Sequence, residues 1–307
     1  MVSWLSLFSG APQSTRPTIN DVVLSLHHPS TPYGFGFSLF CLYTSASLNL
    51  APIPDSAEAL DVLLNAAASP SITLLVGPEP VLATSLHRHL LNKMLGDASF
   101  IIRHSRMGKL ALLRKGVLSR DTFWDWLLFS GVRRDAGLRT VRAVIISGAV
   151  EQSKTDLYRL VLGAPAMSTL EHPFSLAPLA AGLMWDLQRL PPPGGGERGH
   201  VGPPTAGTEI KLSGDESEIA RGRVRGEVSR RPLIAMSTAD QSIYQILFRS
   251  PVLPPPSTFA KDRIVVDASL PSLPPHPEAH NNIASEDSQW ICSGIRAEMG
   301  TEGVLWI

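Results

Sequence analysis

The 307 residues carry 27 Lys+Arg against 27 Asp+Glu, a formal net charge of zero, which argues against a nucleic-acid binder, since that function leaves a basic excess. With 44% hydrophobic and 18% charged residues the chain can build one large or two medium domains, while 26 Pro and 24 Gly point to loop-rich stretches. Two cysteines, Cys41 and Cys292, supply neither a disulfide framework nor a four-ligand zinc site. A reducing compartment follows as the expectation, inside the cell in the cytoplasm or at the periphery of an organelle membrane.

Taken in chain order, Met1 to Gly10 is apolar without a basic stretch before it, which does not make a secretory signal, and residues 1–20 form a poorly defined N-terminal segment. Phe35 to Ala51 is the most apolar run, but Ser38, Thr44, Ser45, Ser47 and Asn49 interrupt it, short of the roughly 20 apolar residues of a bilayer span. It reads as a buried helix, and no transmembrane segment is expected. Ile72 to Val76 reads as a buried strand stopped by Gly77 and Pro78, and Pro80 to Leu95 as an amphipathic helix with Leu82, Leu86, Leu90 and Met94 at intervals of four. Trp124 and Trp126 read as core aromatics.

Val141 to Ile146 predicts a strand, Ser147-Gly148-Ala149 a tight turn, and Ser153 the N-cap of a helix through Leu162 that Gly163 and Pro165 close. This alternation over 21–190 predicts an α/β subdomain built of βα units on a mostly parallel sheet. Small residues at the carboxyl end of a parallel strand are where such sheets receive ligands, although an ordinary βα turn has the same composition.

After Leu190 the texture changes. Pro191 to Gly196 is linker-like, and Thr208 to Leu212, Val224 to Ser229 and Arg263 to Ala268 predict short strands, so 191–307 reads as a β-rich subdomain. Pro251 to Pro256 and Pro271 to Pro277 read as extended loops. An alternative reading makes the chain a non-catalytic interaction module that presents these stretches as polyproline ligands on an α/β scaffold. A protein partner is compatible with either.

Standard catalytic signatures are absent. Gly34-Phe35-Gly36 opens like a dinucleotide fingerprint, but Leu39 stands where the third glycine belongs. There is no Gly-x-Ser-x-Gly elbow, no Walker-type loop and no His-Glu-x-x-His. His27 and His28 precede Pro29, and His87 and His89 lie two apart on a helix, where their side chains diverge and cannot share an ion; all four read as solvated or core histidines.

Several segments in order resemble the adenylate-forming superfamily, in its long-chain fatty acyl-CoA synthetase branch. These are Val141 to Ala149, preceded by Asp121-Thr122-Phe123-Trp124-Asp125, Phe129 and Gly137-Leu138-Arg139; Gly199 to Pro204 with Glu209-Ile210-Lys211-Leu212; Gly226-Glu227-Val228; and Trp290 to Ile307, where Trp290, Gly294, Glu298, Gly303, Leu305, Trp306 and Ile307 stand in register. The resemblance implies a partial adenylate-forming large domain. It also implies ATP-dependent formation of an acyl-adenylate and then acyl-CoA, with a fatty acid as substrate. Ser147, Gly148 and Ala149 would meet the adenine, Ser293 and Gly294 would lie at the ribose, and Glu171 would ligate magnesium. Thr31 and Gly34 would border the acyl tunnel.

The departures from the family pattern set the expected activity. No Gly/Ser/Thr-rich phosphate loop precedes Asp21. The Tyr-Gly-x-Thr-Glu motif falls in one of two registers, Met167 to Glu171 or Leu170 to Phe174, and only the first keeps a carboxylate, Glu171. Ile295 replaces the ribose-binding Asp and cannot accept a hydrogen bond. The chain ends before the hinge and the lysine-bearing C-terminal domain, so CoA is not expected to bind. The expectation is a chain inactive or incomplete as a ligase, with no catalytic residue and weakened binding of ATP or AMP with magnesium.

Overall fold

The structure is a computed structural model that describes residues 2–8, 16–51, 72–95, 100–172, 175–184, 187, 199–213, 244–249, 291–299 and 305–306. Its first elements are the helix α1 (Val2–Ser6), the strand β1 (Val22–Ser25), the helix α2 (Pro32–Thr44) and the strands β2 (Ser47–Leu50) and β3 (Leu74–Pro78). There follow the helices α3 (Glu79–Leu82) and α4 (Arg88–Leu95), joined by one wide π turn (Ala83–His87), and α5 (Phe100–Arg114). A second π turn (Asp125–Phe129) leads into α6 (Ser130–Asp135), then β4 (Ala143–Ser147), β5 (Val150–Glu151), α7 (Gln152–Leu162), β6 (Ala166–Leu170) and β7 (Ala180–Ala181). The remainder is strand: β8 (Gly199–Gly202), β9 (Glu209–Ser213), β10 (Tyr244–Arg249), β11 (Ile291–Met299) and β12 (Leu305–Trp306).

The first sheet runs β2-β1-β3-β4-β6-β7, parallel throughout except for the antiparallel edge strand β7. Its strands β1, β3 and β4 are rich in β-branched and aliphatic residues because both their faces are covered, the condition that parallel sheets require. Side chains alternate between two cores: Val23, Leu74, Val76, Ala143 and Ile145 pack under α1 and α2, and Leu24, Leu75, Val144 and Ile146 pack under α3 to α7. Each buried Leu, Ile or Val contributes about 1.5–3 kcal/mol relative to exposure. The second sheet, β5-β8-β12-β11-β10-β9, is antiparallel and takes its first strand from the α/β half.

Several expectations need correction. The apolar run Phe35 to Ala51 is not one buried helix: α2 ends at Thr44 because Ser45 takes a left-handed turn at φ 58°, and the chain then forms the edge strand β2. Only one face of α2 is buried, so Phe35, Leu42 and Tyr43 are exposed. The strand at 72–76 is shifted to Leu74–Pro78: Gly77 and Pro78 pair with Ile146 and Ser147 rather than stopping it. The long helix from Pro80 is divided by its π turn, although Leu82, Leu86 and Leu90 do form its buried face. Ser153 is not the N-cap of α7; that place belongs to Glu151, whose side chain makes no cap hydrogen bond. Gly163 closes α7 in the left-handed conformation as read. Trp124 packs partly against the core, whereas Trp126 is 75% exposed.

Residues 2–8, expected to be poorly defined, hold a buried anchor. Trp4 is 1% exposed, packs against Tyr33, Phe37 and Phe40, and donates its indole N–H to the Leu176 carbonyl at 3.0 Å. The same carbonyl lies against Gly36, where a Cβ would approach to 1.7 Å, so only glycine allows α2 to pack here. The predicted strand Thr208 to Leu212 is present as β9, one residue later. The linker-like run 191–196, the strands read at 224–229 and 263–268, and the proline stretches 251–256 and 271–277 lie outside the described residues.

Candidate functional site at the carboxyl ends of the parallel strands

Three parallel strands deliver the side chains of the site from their carboxyl ends. β4 ends in Ser147, its neighbour β6 leads straight into Glu171, and two residues past β1 stands His27. Ser147 pairs with Thr169, and the Gly148 N–H continues the ladder by donating to the Thr169 carbonyl at 2.8 Å. The expected turn and the expected carboxylate are therefore neighbours.

His27 is 5% exposed, and its Nε2 lies 2.7 Å from the Ser147 hydroxyl. Its Nδ1 is 3.8 Å from a Glu171 carboxylate oxygen, and its ring packs on Tyr33 at 4.7 Å. Tyr33 in turn shares a hydrogen bond with Thr169 at 2.9 Å. Ser147 also bonds the Glu171 carboxyl. The set is satisfied when the His27 Nε2–H donates to Ser147 and the Ser147 hydroxyl donates to Glu171.

Burial governs the charges. It pushes the His27 imidazole down to about 4, leaving the ring neutral at pH 7. Burial pushes the Glu171 carboxyl up to about 7, although the 37% of its side chain open to water moderates the effect. Burial first, and the nearby Glu171 carboxylate second, keep the Tyr33 phenol protonated. The neighbouring His172 is likewise pushed down to about 4 by burial.

The turn itself is built for close approach. Gly148 adopts φ +124°, and a Cβ there would come within 2.9 Å of the Glu79 Cβ. Glu79 is held by Lys154 at 3.0 Å, and Lys154 also meets Glu151 at 3.5 Å. β8 then pairs with β5 directly after the turn, and Gly199 lies so close to Ala149 that a Cβ would contact its carbonyl carbon at 2.7 Å. The Gly199 to Pro204 segment is thus an immediate neighbour of the Ser147 to Ala149 turn.

The other expected site residues fall elsewhere. The Thr31 hydroxyl caps α2 by accepting the Gly34 N–H at 3.1 Å and donating to the His28 carbonyl at 2.8 Å. Gly34 is packed against that same carbonyl, where a Cβ would approach to 2.3 Å. Both flank Tyr33 in the first turn of α2 and so adjoin the site. Ser293 and Gly294 lie in β11, in a bulge where Ser293, Gly294 and Ile295 stand opposite Ile246 alone, between the pairs Leu247 with Cys292 and Gln245 with Arg296. His27, whose sequence context reads as that of a solvated or core histidine, joins Tyr33, Thr169 and Lys154 beside the candidate site. Among the described residues no three His, Cys, Asp or Glu side chains group as a metal site, and no helix is long and apolar enough to cross a membrane.

No family model and no curated protein matches the chain. Solved structures do. A benzoate CoA ligase from Burkholderia xenovorans superposes over 100% of this chain and 44% of its own, at 14% identity and a TM-score of 0.52. An anthranilate CoA ligase in complex with anthranoyl-AMP covers 99% of this chain and 42% of its own, at 14% identity and a TM-score of 0.50. The fold is that of the adenylate-forming ligases. The N-terminal domain of FACL13 from Mycobacterium tuberculosis is similar over 99% of this chain and 54% of its own, at 14% identity and a TM-score of 0.49. The chain spans less than half the length of the first two ligases.

Proposed function

We propose that this chain is an AMP-binding relative of the long-chain fatty acyl-CoA ligases that holds an adenylate at the Ser147 to Ala149 turn and does not catalyse ligation. The supporting observation is the convergence of the Gly148 turn, Glu171, His27 and Tyr33 at the carboxyl ends of β1, β4 and β6, the position where open α/β sheets receive ligands. Ser147, Gly148 and Ala149 would receive the adenine edge, and Ser293 and Gly294 would lie toward the ribose. Thr31 and Gly34, flanking Tyr33, would border the acyl chain of a fatty acid or acyl-adenylate.

Magnesium fits only in part. Glu171 offers one carboxylate, which suits an ion held chiefly by substrate phosphates and water. Such an ion would neutralise phosphate charge. The tendency of Glu171 to keep its proton near pH 7 weakens that contribution. Ile295 gives the ribose hydroxyls no acceptor, and a lost hydrogen bond to a charged group weakens binding by about 1.5–3 kcal/mol, or roughly 10- to 150-fold. Fatty acid metabolism inside the cell is the setting this reading proposes.

ATP–pyrophosphate exchange by the purified chain, with magnesium and medium to long fatty acids, tests the catalytic half of the proposal. No exchange above background is expected. Exchange that depends on fatty acid would establish a working first half-reaction and overturn the non-catalytic reading.

A further inference from the structure

We propose that the outer face of α5, together with the adjoining aromatic segment at 123–127, docks on the surface of an anionic phospholipid bilayer. The helix buries Ile102, Ser105, Lys109 and Leu113 against the core. The opposite stripe, at spacings of three and four, carries Phe100, His104, Met107 and Ala111, and all four are exposed. Phe100 is 80% and Met107 63% exposed, values far outside the usual range for buried or half-buried large side chains.

On one shoulder of this stripe the apolar surface continues into a second element. Phe100 stacks on His104 at 5.8 Å, His104 meets Trp124 at 5.5 Å, and Phe123 touches Trp124 at 5.3 Å and Trp126 at 6.2 Å. Gly108 leaves room for the Trp124 indole at this crossing. Phe123 and Trp126 are 63% and 75% exposed, so the ring contacts join them into one open patch. The other shoulder carries Arg103, Arg106 and Arg114, all exposed, with Lys115 just beyond. Phe100 to Arg120 holds six Lys or Arg and no Asp or Glu, in a chain of zero net charge, and the exposed Asp121 follows it.

Exposed Trp and Phe beside a row of cations match a surface with anionic headgroups above an apolar interior. The rings enter the interfacial layer, and each Lys or Arg near the headgroups adds attraction that ionic strength screens. The patch is independent of the nucleotide site, so failure of one leaves the other standing.

The test is co-sedimentation of the full chain with vesicles of phosphatidylcholine alone or with about one third phosphatidylserine. Binding is expected to the phosphatidylserine vesicles, weakened by salt, and absent from phosphatidylcholine alone. Arg103→Gln and Arg106→Gln are expected to weaken it about fivefold for each cation removed, and Trp126→Ser about tenfold. These positions are exposed, and near-ultraviolet circular dichroism checks that each variant keeps its fold. Equal binding to both vesicles, no binding to either, or full binding by Trp126→Ser overturns the proposal. So does a Trp126-dependent dimer that ignores vesicles, since the face would then belong to a second copy.

Discussion

Gly148 has a φ of +124° and a neighbour, the Glu79 Cβ, 2.9 Å from where its own Cβ would stand. A side chain there meets both backbone strain and a collision, so Gly148→Ala is expected to destabilise the fold by about 1–3 kcal/mol, measured by urea denaturation. A change below experimental error would mean that the turn is more tolerant than its geometry implies. The charges beside it yield a pH dependence. The carboxyl of Glu171 is raised from 4.5 to about 7, so the folded chain keeps a proton that the unfolded chain has released; this contribution is complete below about 4.5 and is lost as pH rises through 7. His27 and His172 act in the opposite sense. Both are lowered from 6.5 to about 4, so the unfolded chain takes up their protons first, and their contribution is present above 6.5 and lost as pH falls toward 4. Glu171→Gln is therefore expected to raise the urea midpoint at about pH 8 and to leave it nearly unchanged at about pH 4.5. An equal shift at both pH values would contradict the assignment. Of these residues, Gly148 and Glu171 were legible in the sequence through the family resemblance. His27 was not, because its partners Ser147 and Glu171 lie 120 and 144 positions away and no local spacing marks them.

Between α5, the second π turn, α6 and α7, one buried ionic cluster fixes how the helices stack. Asp125 receives Lys109 at 2.8 Å and Arg133 at 2.7 Å on one oxygen and the Thr122 hydroxyl at 2.6 Å on the other. The two cations continue to the carbonyls of Leu160 and Val161, at 2.9 Å and 3.0 Å, which satisfies the open end of α7. Burial pulls the Lys109 ammonium down while Asp125 opposes it, and donors from Lys109, Thr122 and Arg133 hold the Asp125 carboxyl below its usual range despite burial. Asp125→Ala strands both cations and is expected to cost about 3–5 kcal/mol, again by urea denaturation. A loss under about 1 kcal/mol would show that water reaches the cluster. The Asp121 to Asp125 segment was flagged by resemblance, and the structure assigns its Asp125 to holding helices together. Elements with both faces buried, such as β4, stood out as unbroken apolar runs. β2 did not, because a half-exposed edge strand of Ser, Leu and Asn continues the composition of α2 and only the left-handed Ser45 separates them.

At the scale of the whole molecule, the parallel sheet was visible in the alternation of short apolar runs with helical patterns, because period and length are local properties. Among the described strands of the second sheet, β9 alone was read as a strand from local composition. The sheet pairs β5, at residue 150, with β8, at residue 200, and β8 with β12, at residue 306, and pairings of that span leave no local signature. Its link to the first sheet, through β8 beside the Gly148 turn, is what brings the Gly199 to Pro204 segment to the site. The most direct test of the proposed adenylate site is equilibrium binding of a non-hydrolysable long-chain acyl-adenylate analogue to the purified chain by calorimetry. Saturable binding is expected, weaker by roughly 10- to 150-fold than for a ligase that keeps its ribose-binding Asp, and partly regained in Ile295→Asp. A folded chain that takes up no analogue at millimolar concentration, and no more as Ile295→Asp, would contradict it.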